Sequence, residues 1–121
     1  MWDAQQTSND IAAAATKKTV YDPCPPGFCV PTSGLYNYIK GQTEYEYAFN
    51  DGYTYSGVFF PASGYRISNS GVLNLVGTDG YYWSATPNGG TEGRHFSFRS
   101  GSWSLGSYSR AMGCPVRAVA E

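Results

Sequence analysis

The chain has 121 residues, enough for one domain and too few for two. Charged residues are 14% of it and aromatics 17%, with 11 Tyr and 15 Gly, which argues against a helical bundle and against a disordered chain and for a β-dominated globule. A net charge of −1 gives no steering toward nucleic acid or anionic membranes, and no apolar run approaches the roughly 20 residues that span a bilayer.

Met1-Trp2-Asp3 has neither a basic start nor an apolar run, so no signal peptide is read there. Residues 1–17 form an N-terminal segment in which Ser8 or Asp10 could cap a short helix over Ile11 and the Ala run. The domain proper is 18–121. Lys17 to Tyr21 reads as a strand. Asp22-Pro23-Cys24-Pro25-Pro26-Gly27 is irregular, because three prolines remove amide donors and fix φ. Pro31-Thr32-Ser33 offers a helix start, with Leu35, Tyr36 and Ile39 at helical spacing and Gly41 as a stop.

Alternation then takes over. Thr43 to Phe49 and Tyr53 to Phe60 read as strands, followed by Val72 to Val76 and Tyr81 to Ala85. In the latter, Tyr81 and Trp83 share one face and Tyr82 takes the other, with Trp83 expected in the core. Pro87 to Gly90 is a loop. Phe96 and Phe98 share a face, Ser100-Gly101 is a hairpin turn, and Trp103 and Leu105 share a face. Cys114 to Val119 reads as a last strand.

Three stretches form an ordered set: Lys18 to Gly27 with Val30-Pro31-Thr32; Phe60-Pro61-Ala62-Ser63-Gly64-Tyr65-Arg66 with Gly71-Val72-Leu73; and Gly80-Tyr81-Tyr82-Trp83-Ser84-Ala85-Thr86 leading through Phe96-Ser97-Phe98 to Gly113-Cys114-Pro115-Val116-Arg117. This order resembles the Fibrobacter succinogenes major paralogous domain of Bacteroidetes surface proteins. The resemblance implies an α+β, C-type-lectin-like fold, β-rich with one or two short helices and long irregular loops. It also implies paired chain ends, with the Tyr21 region near Val116-Arg117, and display as part of an exported, cell-surface precursor.

The pattern is also similar to the variable proteins of diversity-generating retroelements. That likeness implies an exposed recognition face carried by Asn88, Thr91, Arg94, His95, Ser97, Arg99, Ser102, Trp103, Ser104, Ser107 and Tyr108. Ser, Tyr, Gly and Arg dominate it, residues that combine adaptable hydrogen bonds with rigid aromatic area. Trp103, beside the hairpin turn, is its expected exposed anchor. The expected partner is a protein or glycan on another cell or surface, which makes the domain a ligand-binding or adhesive one. A structural or assembly module of a larger surface protein is the alternative.

Against the family pattern, Cys29 and Cys114 are both departures, and the resemblance therefore points to a Cys29–Cys114 bridge. Cys24–Cys114 and three unbridged thiols remain open. Such a bridge closes a loop of roughly 85–90 residues and is worth about 4–5 kcal/mol on a chain-entropy argument.

No catalytic, metal or cofactor site is expected. His95 is the only His and has no nearby carboxylate but Glu92. The three Cys lack zinc spacing, and the sugar-binding triplets of calcium-dependent lectins are absent. Glu44 and Glu46 share a predicted strand face, but nothing else marks a glycosidase site. Arg66 and Arg117 are expected to tie loops to backbone carbonyls.

Overall fold

A computed structural model describes residues 20–42, 52–55 and 58–120 of the chain. The candidate N-terminal helix, the strand Thr43 to Phe49 and the carboxylates Glu44 and Glu46 lie outside these residues.

The proline-rich entry is organised by a side chain. The Asp22 carboxylate accepts the amides of Cys24 (2.8 Å) and Val30 (3.1 Å), supplying acceptors where the prolines have broken any ladder. Beyond it, β1 (Phe28–Cys29) pairs antiparallel with β9 (Val119–Ala120). The chain ends thus meet, but further along than the sequence reading placed them. Tyr21 is an exposed turn residue, and the contact forms only where both segments have passed their prolines.

Helix α1 (Ser33–Gln42) starts as its sequence predicts and runs one residue past Gly41. Thr32 Oγ1 accepts the Leu35 amide at 3.2 Å, so Thr32 is the N-cap. Tyr36 is buried and Ile39 packs beside it, while Tyr38 points to solvent. Replacing the cap, Thr32→Ala, is expected to cost about 1 kcal/mol in urea unfolding without moving the spectrum of the folded state.

The segment Tyr53 to Phe60 is not one strand but a hairpin, β2 (Gly52–Tyr55) against β3 (Val58–Pro61), with Tyr53 opposite Phe60. Next come β4 (Tyr65–Arg66) and β5 (Leu73–Asn74). The strand expected over Val72 to Val76 shrinks to two residues because Leu75 takes φ 58°. Its carbonyl accepts from Thr78 N, Thr78 Oγ1 and Asp79 N, which turns the chain into the main sheet.

That sheet is antiparallel, in the order β6 (Asp79–Asn88), β7 (Glu92–Arg99), β8 (Ser102–Ser109). The Ser100-Gly101 turn joins the last two strands, with Gly101 at φ 81°, a value glycine adopts without steric cost. The Tyr53 hydroxyl braces the turn, donating to the Arg99 carbonyl (3.0 Å) and accepting from the Gly101 amide (2.9 Å). Pro87 sits where the β6–β7 register shifts, a position that tolerates a missing donor.

Both faces of this sheet are covered, which decides where the site can lie. On one face Tyr82, Phe96 and Phe98 pack with Tyr36, Tyr53, Phe60 and Ala62, and Trp103 and Leu105 border them. On the other, Tyr81, Trp83, His95 and Tyr108 form a second aromatic layer with Tyr65, ring centroids 4.6–6.3 Å apart. Trp83 is buried, as its sequence suggests, but in this second layer.

The expected strand Cys114 to Val119 is largely irregular. It runs along β6 instead, where the Pro115 carbonyl accepts the Trp83 amide at 3.0 Å. The arginines act as expected: Arg66 Nη1 donates to the Gly71 carbonyl (2.9 Å), and Arg117 lies over the Phe60 ring (5.5 Å) and reaches the Phe59 carbonyl (3.4 Å).

Candidate functional site

Five of the residues expected on the recognition face come together: Ser97, Arg99, Ser102, Trp103 and Ser104. Ser97 and Arg99 on β7 stand opposite Ser104 and Ser102 on β8. They line a cleft of about 130 Å³ on the second face, at the end of the sheet near the Ser100-Gly101 turn. Asp79 and Tyr81 from β6 and Phe98 from β7 complete it. Strand alternation puts Asp79, Tyr81, Ser97, Arg99, Ser102 and Ser104 on one face, because Asp79 pairs with Arg99 and Tyr81 with Ser97, whereas Phe98 and Trp103 alternate to the other.

The cleft has a buried acid at its floor. Asp79 is 7% exposed, and its Oδ2 accepts the Tyr81 hydroxyl at 3.3 Å. Burial first, then the adjacent Tyr108 and Asp79, raise the Tyr81 phenol above its ordinary range, so it stays neutral and donates. Arg99 Nε lies 3.6 Å from the same carboxylate oxygen, but its side chain is 67% exposed. An ion pair so open to water holds its arginine weakly. The guanidinium can therefore leave Asp79 to a ligand and make its own contacts. At the rim, the Ser97 and Ser104 hydroxyls share a hydrogen bond of 3.0 Å and can each donate or accept.

The other expected residues lie elsewhere. Asn88 and Ser107 serve Glu92 at the far end of the sheet, donating to its Oε2 at 2.9 and 2.7 Å. Those bonds, Ser107 first, lower the Glu92 carboxyl below its usual range. Thr91 is exposed in the β6–β7 turn, where its carbonyl accepts the Arg110 amide. Arg94 is half-buried opposite Ser107.

Two residues expected to be exposed turn into the fold instead, Trp103 in part and His95 fully. Trp103 stands opposite Phe98 and turns inward against Phe96 (4.7 Å). His95 is 4% exposed among Tyr81, Trp83 and Tyr108. Its ring lies under Gly106, where a Cβ would come within 3.0 Å of it. Burial pulls its pKa down to about 4, so the imidazole is neutral at pH 7. Tyr108 belongs half-buried to the same layer.

The Cys29–Cys114 bridge suggested by the resemblance is not formed, and all three cysteines are thiols. Cys29 belongs to the β1–β9 pair, whereas Cys114 follows the Arg66–Gly113 bridge. Burial pushes the Cys114 thiol up to about 12, which leaves it protonated and unreactive. Among the described residues no group of three or more His, Cys, Asp or Glu is placed to hold a metal ion, and no helix is long and apolar enough to cross a membrane.

Asp79 and Tyr81 were missed because Gly77-Thr78-Asp79-Gly80 reads as a turn. The available signal was the alternation Asp79, Tyr81, Trp83, which puts the acid on the aromatic face of a strand.

A family model described as Domain of unknown function (DUF8237) matches residues 38–119, about two thirds of the chain. No curated protein and no solved structure matches it.

Proposed function

The chain belongs to the DUF8237 family, whose description assigns no activity, and from the cleft itself we propose that it is a non-catalytic ligand-binding or adhesive domain. The observation that carries this is the buried Asp79 carboxylate, held by a neutral Tyr81 and a loosely paired Arg99 at the mouth of a polar cleft. Such a site takes a ligand that brings hydroxyl or N–H donors to Asp79 and an acceptor to Arg99, as a glycan or a polar protein side chain does. Ser97 and Ser104 add hydroxyls that serve either role.

The C-type-lectin-like fold and the likeness to retroelement-diversified proteins are part of the same proposal. Paired chain ends, one helix among the described residues and the largely irregular run between β3 and β6 support the fold. A recognition face on the C-terminal hairpin supports the likeness, although it draws on fewer of the expected residues and adds β6. Surface display in an exported precursor is the setting in which such a domain would meet a protein or glycan on another cell.

One observation favours the second reading, a structural or assembly module. Val72, Leu73, Leu75 and Val76 are all exposed around the β4–β5 hairpin, an aliphatic cluster suited to packing against a neighbouring domain.

The test is a glycan and protein-ectodomain array probed with the wild type, Asp79→Asn and Arg99→Ala at matched thermal stability. The expected result is selective binding weakened about ten- to a hundredfold in both variants. Binding that ignores both but is lost in Val72→Ser/Leu75→Ser would move the interaction to the aliphatic cluster.

A further inference from the structure

The main sheet has two unlike edges. Along β6 the outer edge is occupied. The Trp83 amide donates to the Pro115 carbonyl, the Ala85 amide donates to the Pro31 carbonyl at 2.8 Å, and Gly80 bridges Gly64. Among the described residues β8 forms the other edge, and it pairs with β7 over eight residues without a register break. In an antiparallel ladder every second residue turns its N–H and C=O away from its neighbour. Among the described residues, no backbone hydrogen bond joins residues 104–108 to any strand other than β7.

Open edges are commonly guarded by a charge, a proline or a bulge. β8 reads Ser102-Trp103-Ser104-Leu105-Gly106-Ser107-Tyr108-Ser109 and has none of the three. The charges of this sheet all lie on the other two strands, at Asp79, Glu92, Arg94 and Arg99.

We propose that β8 is a self-pairing edge, to which a second copy of this chain adds its own β8 antiparallel to give a six-stranded sheet across a two-fold axis. Charge selects a second copy as the occupant. In an isologous contact, residues near the axis meet the same residues of the other copy, so any Lys or Glu on β8 would face its own sign. The strand carries no charge, and a net charge of −1 offers little long-range repulsion between copies. A register centred on Leu105 sets Ser104 opposite Gly106 of the second copy, leaving room at the join. For two antiparallel strands in one sheet the axis stands normal to the sheet. Both polar clefts then face the same side, a bivalent display. The pairing itself does not depend on what the clefts bind.

Sedimentation of the full chain from micromolar to millimolar concentration tests this. A reversible monomer–dimer equilibrium is expected. Ser104 is exposed and its hydroxyl bonds only that of Ser97, so Ser104→Lys and Ser104→Glu leave the core untouched, and unchanged melting curves check that. Each places like charges diagonally across the axis and is expected to weaken the dimer at least tenfold. An equimolar mixture of the two is expected to restore it. A wild type that stays monomeric overturns the proposal, including one that binds an extended peptide instead. So does a dimer indifferent to both substitutions, or a mixture that fails to recover.

Discussion

Phe96→Ala is expected to destabilise the protein by about 3–5 kcal/mol, a large share of the roughly 5–15 kcal/mol that a domain of this size has. Phe96 lies on the central strand and is 2% exposed. Its ring stacks on Tyr36 of α1 at 5.0 Å and 17°, meets Phe60 of β3 edge-on at 6.1 Å, and meets Trp103 of β8 at 4.7 Å. One side chain thus joins the helix, the hairpin and the sheet, and few neighbours can collapse into the space it would leave. Burial also holds the Tyr36 phenol above its ordinary pKa, and among the described residues the Tyr36 hydroxyl has no hydrogen-bond partner. Water admitted by the cavity would reach that hydroxyl, so some of the loss would be recovered. The control is Phe59→Ala, with a ring 45% exposed, expected to cost under about 1 kcal/mol. Urea unfolding of both variants decides. Equal losses would mean that the helix does not pack on the sheet through Phe96.

What sequence could give here was the periodicity, and what it could not give was the environment of each face. The helix was legible because Thr32, Tyr36, Ile39 and Gly41 carry its cap, its stripe and its stop in ten residues. The β7–β8 hairpin was legible because Ser100-Gly101 sits between two alternating runs. The same turn also fixes which face Trp103 takes. A two-residue turn sets Arg99 against Ser102, hence Phe98 against Trp103, and the indole must share the face of Phe98. Nearness to a turn suggests exposure for Trp103, but the register turns it inward against Phe96. His95 failed for a different reason: a strand with Phe on one side and polar residues on the other looks half-solvated, and nothing local reveals a second layer built from Tyr65, Tyr81, Trp83 and Tyr108. The site split along the same line. Ser97, Arg99, Ser102 and Ser104 are on the hairpin and could be found, while Asp79 and Tyr81 arrive through a β6 register that the shift at Pro87 conceals. Leu75 at positive φ has no sequence signature, so the strand expected over Val72 to Val76 is longer than the Leu73–Asn74 pair that forms.

The buried His95 makes stability depend on pH in a window that the chain isolates unusually well. An imidazole in an unfolded chain titrates near 6.5, whereas desolvation among Tyr81, Trp83 and Tyr108 holds the folded one to about 4. The unfolded state therefore binds more protons between these values, and stability falls as pH drops through 6.5 and levels off near 4. Between pH 7.5 and 5 the expected loss is about 2 kcal/mol. No other His exists to share the effect. Glu92, whose carboxyl is held low by Ser107 and Asn88, also loses stability on acidification, but only below its unfolded value of about 4.5, outside this range. The groups facing His95 are the two tyrosine rings and the Trp83 indole, with the Asp79 carboxylate beyond Tyr81. Urea midpoints at pH 7.5, 6.5, 5.5 and 5.0 should trace the loss in the wild type. His95→Phe keeps a ring of similar shape under Gly106 and cannot be protonated, so its midpoint should stay flat across the same range. A wild type as flat as that variant would place the imidazole in water, and the second aromatic layer would not be the dry one that burial of His95 requires.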